Sequence, residues 1–356
     1  LSNVVALFRL NHEGPKELLN ANFAAEKTLD ETAMIPSDPF RTLRVSARVQ
    51  ETADIVSFEL VDPAGGDLPP FTAGAHIDIE TGPGMVRQYS LFNDPAERLR
   101  YKVGILKDSN SRGGSVAMHS LRAGDYVRIA GPRNHFPLHP GEHETLLLAG
   151  GIGITPLLCM AHQLHRDGAA FKLHYCVRSS SHAAFLPLLR SSPFASHVKV
   201  HFDDGSDAQR LDIAAVLSAL QPDAHIYVCG PGGFMAWCIG AAAAANMAEA
   251  QIHREYFKAA AAANVAVDNT FEIRLASSGE TFNVPADSTI LNVLRAHGVV
   301  LQASCETGVC GTCLTGVLAG TPDHRDVYLS KAEREAGTMI LPCCSRSISP
   351  TLVLDI

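Results

Sequence analysis

The sequence predicts a multidomain chain: a small antiparallel β-barrel, then an α/β domain with a parallel sheet, then a short module folded round a cluster of cysteines. Three observations carry this reading. The chain has 356 residues, more than one hydrophobic core usually organises. From Arg41 to about Gly131 short segments alternate in polarity between turn residues, and from about Thr145 apolar strands alternate with amphipathic helices. Three of the nine cysteines then crowd between positions 305 and 313.

Residues 1–40 mix weak apolar patterning with polar stretches such as NHEGPKELLN before the break IPSDPF. No chemical role is assigned to this extension, and the missing initiator Met is compatible with a fragment or a trimmed chain. TLRVSARVQ, IVSFELV, HIDIE, RQYSLF, RLRYKVGIL and DYVRIA follow at even spacing, the pattern of an antiparallel barrel over 41–140. In 141–257 the strands TLLLAG, KLHYCV, HVKVHF and HIYVCG alternate with helices expected from about Thr155, around Ala183, from about Leu211 and after Gly233. That rhythm indicates a parallel sheet, whose ligands sit at the carboxyl ends of its strands. KAAAAANVAVD, residues 258–268, reads as a linker. A hairpin-like pair round ASSGE, a helix from Thr289 to about His297 and the cysteine loop fill 269–356.

The formal net charge is −8 and the basic residues are scattered, so the footprint of a nucleic-acid binder is missing. No apolar run approaches the roughly 18 residues of a membrane span, and no signal-like start is present. The expectation is a cytoplasmic protein with neither nucleic acid nor membrane as partner. An odd cysteine count in a reducing compartment favours a metal or redox site over disulfides. Cys159, Cys176, Cys229, Cys238 and Cys344 lie in or beside apolar stretches, where a cysteine is by default a small buried hydrophobe.

SCETGVCGTC spaces Cys305, Cys310 and Cys313 with four and then two residues between thiols, the plant-type [2Fe–2S] spacing once a distant fourth cysteine is added. Gly308 and Gly311 let the loop wrap closely with amides turned to sulfur. Zinc is the competing reading, although structural zinc sites usually present two paired knuckles. A cluster takes one electron and a nicotinamide gives two, so a flavin is needed between them. SRGGS places Gly113, Gly114 and Ser115 before a short helix, either a phosphate cradle or a Gly-rich turn capped by Ser115. AGGIGITP opens a helix after the first parallel strand, with Gly151 and Gly153 allowing a pyrophosphate to approach. HFDDG sets Asp203 and Asp204 at the end of the third strand, where a carboxylate accepts a ribose 2′-hydroxyl bond and repels a 2′-phosphate; Arg178 before three serines argues the other way.

CETGVCGTCLTGVLAGTPDHRDVYLS followed by ILPCCSRS is similar to the C-terminal ferredoxin domain of the phthalate dioxygenase reductase family, which includes vanillate demethylase reductases. The resemblance covers roughly residues 41–356 and implies a six-stranded flavin barrel, a five-stranded parallel nucleotide sheet and a β-grasp [2Fe–2S] ferredoxin. It implies Cys343, two residues before the pair Ser345-Arg346, as fourth ligand. Cys344 is then a bystander on the opposite face of an extended segment. RQYSLF is similar to the family's flavin motif: Arg87 at the phosphate, Tyr89 along the ring, Ser90 near N5. Taken alone, that segment would be a surface Arg and a strand Tyr. Gln88, Gly104, Ile105, Leu106, Arg112, Gly113, Gly114 and Ser115 complete the implied flavin site, which ends at FMN. For NADH, favoured over NADPH, the implied contacts are Gly151, Gly153, Thr155, Pro156, Arg178, Asp203, Asp204, Cys229, Gly230, Pro231 and Phe257. Ser90 and Cys229 are the implied catalytic positions, and IHREYF places the family's acidic residue at Glu255.

The implied activity is NADH-dependent electron transfer through FMN and the cluster to a terminal oxygenase, with a Rieske-type dioxygenase or O-demethylase favoured. The alternatives are the reductase part of a fusion with a P450 or other catalytic domain, a flavin reductase acting on a small molecule, and a non-enzymatic electron carrier or redox sensor. The remaining histidines are expected to be scattered, His135, His253 and His324 being structural or surface residues, so no mononuclear iron site is predicted.

Overall fold

Six strands, β1 (Arg41–Gln50), β2 (Ile55–Val61), β3 (His76–Gly82), β4 (Met85–Ser90), β5 (Arg100–Leu106) and β6 (Tyr126–Arg133), form one antiparallel sheet in the order β4-β3-β6-β1-β2-β5. A bridge between Leu91 and Val103 joins the two edges. Helix α1 (Gly114–Ser120) precedes β6. The structure is a computed structural model and describes residues 40–82, 85–109, 111, 113–257 and 269–356. Nearly all of the extension 1–40, Arg112 and the linker 258–268 lie outside the described residues.

The second sheet is parallel, in the order β11-β10-β7-β8-β9, and is built from β7 (Thr145–Gly150), β8 (Phe171–Val177), β9 (Val198–Phe202), β10 (His225–Cys229) and β11 (Ile252–Glu255). Helices α2 (Ile154–Arg166), α3 (Leu186–Ser191), α4 (Ile213–Ser218) and α5 (Gly232–Ala244) connect them. TLLLAG is buried at every position, as a central strand covered on both faces must be. One face shares a core with the six-stranded sheet, where Phe92 meets Phe185 at 4.8 Å. The other face packs Leu146, Leu148 and Val228 against Met235, Cys238 and Ala242 of α5.

A third sheet, in the order β13-β12-β18-β14-β16, follows. Its strands are β12 (Phe271–Leu275), β13 (Thr281–Val284), β14 (Thr315–Ala319), β16 (Met339–Ile340) and β18 (Thr351–Leu354), and β15 (Pro322–Asp323) pairs separately with β17 (Arg346–Ser347). FEIRL alternates buried and exposed residues, the period of a strand with one wet face. Helix α6 (Ile290–Ala296) is capped by Thr289, whose hydroxyl accepts from the Asn292 amide. Helix α7 (Lys331–Ala336) starts in a Ser330/Glu333 capping box and ends at Gly337 in the left-handed region.

Two expectations are corrected. Cys343 and Cys344 lie in a turn rather than an extended segment, because the amides of Cys344 and Ser345 both donate to the Leu341 carbonyl, at 3.2 and 3.0 Å. The histidines are not scattered. The parallel strands bring His174 to 2.9 Å from His201 and His225 to 2.8 Å from His253. Among the described residues, no helix is long and apolar enough to cross a membrane.

Candidate functional site

Strand β4 ends where the antiparallel sheet meets the carboxyl ends of β10 and β11. The Ser90 hydroxyl donates to Glu255 Oε2 at 3.1 Å, and the parallel register sets Glu255 beside Cys229. Burial pushes the Glu255 carboxyl up to about 8, although the open cleft leaves it partly exposed and the Ser90 bond opposes the shift. Burial first, and Glu255 second, raise the Cys229 thiol well above its usual range. Burial thus disfavours the charged form of both groups at the floor of this cleft.

Thr155 is buried at the start of α2, its hydroxyl donating to the Ile152 carbonyl at 3.1 Å, with Pro156 buried beside it. Gly153 has to be glycine because a Cβ there would lie 2.2 Å from the Cys229 carbonyl oxygen. That contact locks the loop 151–153 onto the turn containing Gly230 and Pro231. Asp203 and Asp204 are exposed beyond β9 at the far edge of the sheet, tied by their amides to the carbonyls of Val177 and Arg178. Arg178 is exposed beside them, and Phe257 is exposed at the opposite end, two residues after Glu255. The residues expected at the nucleotide thus lie along the carboxyl ends of all five strands.

On the side of the six-stranded sheet, Tyr89 packs against the core, and burial holds its phenol above the usual range. Gly114 backs onto Arg87: a Cβ there would stand 2.8 Å from Arg87 Cγ. The start of α1 and the Arg87 side chain therefore close on one spot, as a phosphate cradle requires. Ser115 faces the other way, its hydroxyl accepting from the Asp108 amide at 3.1 Å, and the Gly113 amide donates to Ser111 Oγ. Gly104 is wedged between barrel and sheet, with Phe185 and Thr155 within 2.9 Å of where its Cβ would be. Ile105 is buried in the core and Leu106 is exposed.

The thiols of Cys305, Cys310, Cys313 and Cys343 converge. Cys343 lies within hydrogen-bond reach of Cys305 and Cys313, and Cys305 within reach of Cys310. The Thr307 and Thr312 amides donate to the sulfurs of Cys305 and Cys310 at 3.4 and 3.5 Å. Four thiols with amides aimed at sulfur fit a [2Fe–2S] cluster, because N–H donors favour thiolates. Gly308 and Gly311 both take positive φ, and a Cβ at 311 would strike the Tyr328 ring at 2.3 Å. Cys344 turns its sulfur onto Gly308 and toward the Leu341 carbonyl.

Two links across the chain were not foreseen. Gln88 Nε2 donates to Thr312 Oγ1 at 3.3 Å, and that oxygen lies 3.2 Å from Cys310 Sγ. Ser304 donates to Asp78 Oδ1 at 3.1 Å, while Arg133 pairs with the other carboxylate oxygen of Asp78. His135 stacks on His76 and meets Tyr328 edge-on across the same junction. Spacing along the chain carries no signal for such pairs.

A family model for the 2Fe-2S iron-sulfur cluster binding domain matches residues 273–347. Phthalate dioxygenase reductase of Burkholderia cepacia is 40% identical over 321 residues, which cover 90% of this chain and 98% of that protein. The chain belongs to the phthalate dioxygenase reductase family. Within it, vanillate O-demethylase oxidoreductase of Pseudomonas sp. (strain HR199 / DSM 7063) is 50% identical over 314 residues, 88% of this chain and 98% of that one. The solved phthalate dioxygenase reductase structure, described as modular for electron transfer from pyridine nucleotides to [2Fe-2S], superposes with a TM-score of 0.68 at 40% identity, over 89% of this chain and 98% of that one.

 An intact type IV self-sufficient cytochrome P450 monooxygenase superposes with a TM-score of 0.79 at 37% identity, over 89% of this chain and 41% of that one. The phthalate dioxygenase reductase family member described here is accordingly an oxidoreductase, a reductase component of an oxygenase system with a [2Fe–2S] domain.

Proposed function

We propose that this chain takes electrons from NADH and delivers them through FMN and the [2Fe–2S] cluster to a Rieske-type dioxygenase or O-demethylase in the cytoplasm. One observation carries the reading: strand β4 touches both partners of the transfer, Ser90 reaching Glu255 of the nucleotide sheet and Gln88 reaching Thr312 of the cluster loop. When bound, flavin and cluster supply the conversion of a two-electron donor into single electrons. The chain's own residues bind and orient. Arg87 and the start of α1 hold the phosphate, Tyr89 supports the ring, and Ser90 is fixed by Glu255. Gly151, Gly153 and Thr155 seat the nicotinamide end over Cys229. Cys305, Cys310, Cys313 and Cys343 hold the cluster.

The reading divides the chain into a flavin domain over 41–140, a nucleotide domain over 141–257 and a ferredoxin domain over 269–356. A fusion with a P450 is less supported, because the named relatives covered almost end to end are separate reductases or reductase subunits. Rapid mixing with NADH tests the sequence of events. Flavin bleaching followed by cluster reduction is expected, and bleaching without cluster reduction would point instead to direct reduction of a small molecule.

Acid release of the bound flavin should yield FMN, because α1 runs from the cradle directly into β6 and leaves no segment assigned to an adenylate. Stoichiometric FAD would overturn that assignment. Replacing Asp203 and Asp204 together by Ser should weaken discrimination against NADPH, since two exposed carboxylates repel a 2′-phosphate. An unchanged ratio of kcat/KM for the two nucleotides would remove both residues from the ribose site.

A further inference from the structure

At the amino ends of the parallel strands, opposite the cleft, four histidines gather. His139 and His143 belong to the connector between β6 and β7, His225 opens β10, and His253 lies on β11. One ligand atom from each of His139, His143 and His225 lies within 4.8 Å of the others. Their rings pack closely, His143 over His225 at 4.1 Å and His139 over His225 at 4.4 Å.

We propose that His139, His143 and His225 form a binding site for a divalent transition metal of the zinc class, distinct from the cluster and on the far side of the nucleotide sheet. Imidazole suits zinc, and three histidines leave a fourth position for water. A tetrahedral ion with Zn–N near 2.0–2.1 Å needs ligand atoms about 3.4 Å apart, a closure that rotation of the exposed His139 ring can provide.

Two further features support the site. His225 Nδ1 faces His253 Nε2 at 2.8 Å; donation across that contact leaves the other His225 nitrogen free to ligate, the outer support that metal-bound histidines usually have. The Tyr227 hydroxyl accepts from the His139 amide, and its ring stacks on His253 at 4.4 Å, so the connector is already fixed above the strand. Burial and neighbouring imidazoles keep His143 and His225 below the usual histidine range and take His253 down to about 4. The carboxylate of Asp223 bears on both His143 and His225 and would offset part of the ion's charge.

The test is equilibrium dialysis of the tag-free holoenzyme against zinc chloride, with iron and flavin counted in the same samples. One zinc per chain beyond the iron is expected. His139→Gln with His143→Gln should abolish it while iron and flavin contents hold, and His143→Gln alone gives a milder variant if the pair misfolds. His253→Phe should weaken binding roughly tenfold to a hundredfold, the usual effect of losing outer support. His162→Gln with His165→Gln, a pair elsewhere in the sheet domain, should bind as the parent does. Absence of bound zinc in the parent, or equal binding by the double variant, would overturn the site and leave the histidines as packing.

Discussion

A Cys343→Ser protein is expected to lose most of its cluster absorbance and its electron transfer to cytochrome c, while NADH still bleaches its flavin. Cys343 is buried and converges with Cys305 and Cys313, so removing its thiol opens the cage rather than adjusting it. The loss should exceed the roughly tenfold to hundredfold effects of changes beyond the ligands. Cys344→Ser should leave the cluster nearly unchanged, because that sulfur is turned onto Gly308 and the Leu341 carbonyl. Cluster loss in Cys344→Ser and retention in Cys343→Ser would exchange the two roles.

Arg346→Leu should release the cluster domain while sparing the NADH-to-flavin reaction. The guanidinium is buried and donates to the carbonyls of Ser288, Asn269 and Pro285 at 2.6, 3.0 and 3.0 Å, over the Phe271 ring. An aliphatic side chain removes all three bonds at once, each a hydrogen bond to a charged group of about 1.5–3 kcal/mol. The sum is a large part of a domain's total stability of roughly 5–15 kcal/mol. Arg346→Lys should recover little, since one ammonium cannot match the planar fork. Urea unfolding followed at the cluster absorbance measures the effect, and an unchanged midpoint would show that the clamp is dispensable.

The family and the order of the sheets were legible because each leaves a local mark. TLLLAG reads as a strand covered on both faces, FEIRL as one with a wet face, and the loop from Cys305 to Cys313 carries its spacing in plain order. What was illegible is what the tertiary fold decides. The turn at Cys343 and Cys344 depends on both following amides choosing the Leu341 carbonyl, and β-like spacing gives no warning of it. The histidine pairs arise from the register of parallel strands some 28 residues apart in sequence. Glu255 was visible only as an acidic residue in IHREYF, and its partner Ser90 lies 165 positions away. Arg112 lies outside the described residues, so its expected flavin contact stays a matter of sequence.

The third sheet places β18, the last strand of its domain in sequence, between β12 and β14. Cys305, Cys310, Cys313 and Cys343 all precede in sequence the strand that lies at the centre of their sheet. Strand β12 has no parallel neighbour to hold it until Thr351–Leu354 arrives, and contacts so distant in sequence form late. Until that strand pairs, the domain holds its full set of cysteines over an incomplete sheet. Iron and sulfide are therefore expected to be held only once Thr351–Leu354 has paired with β12 and β14.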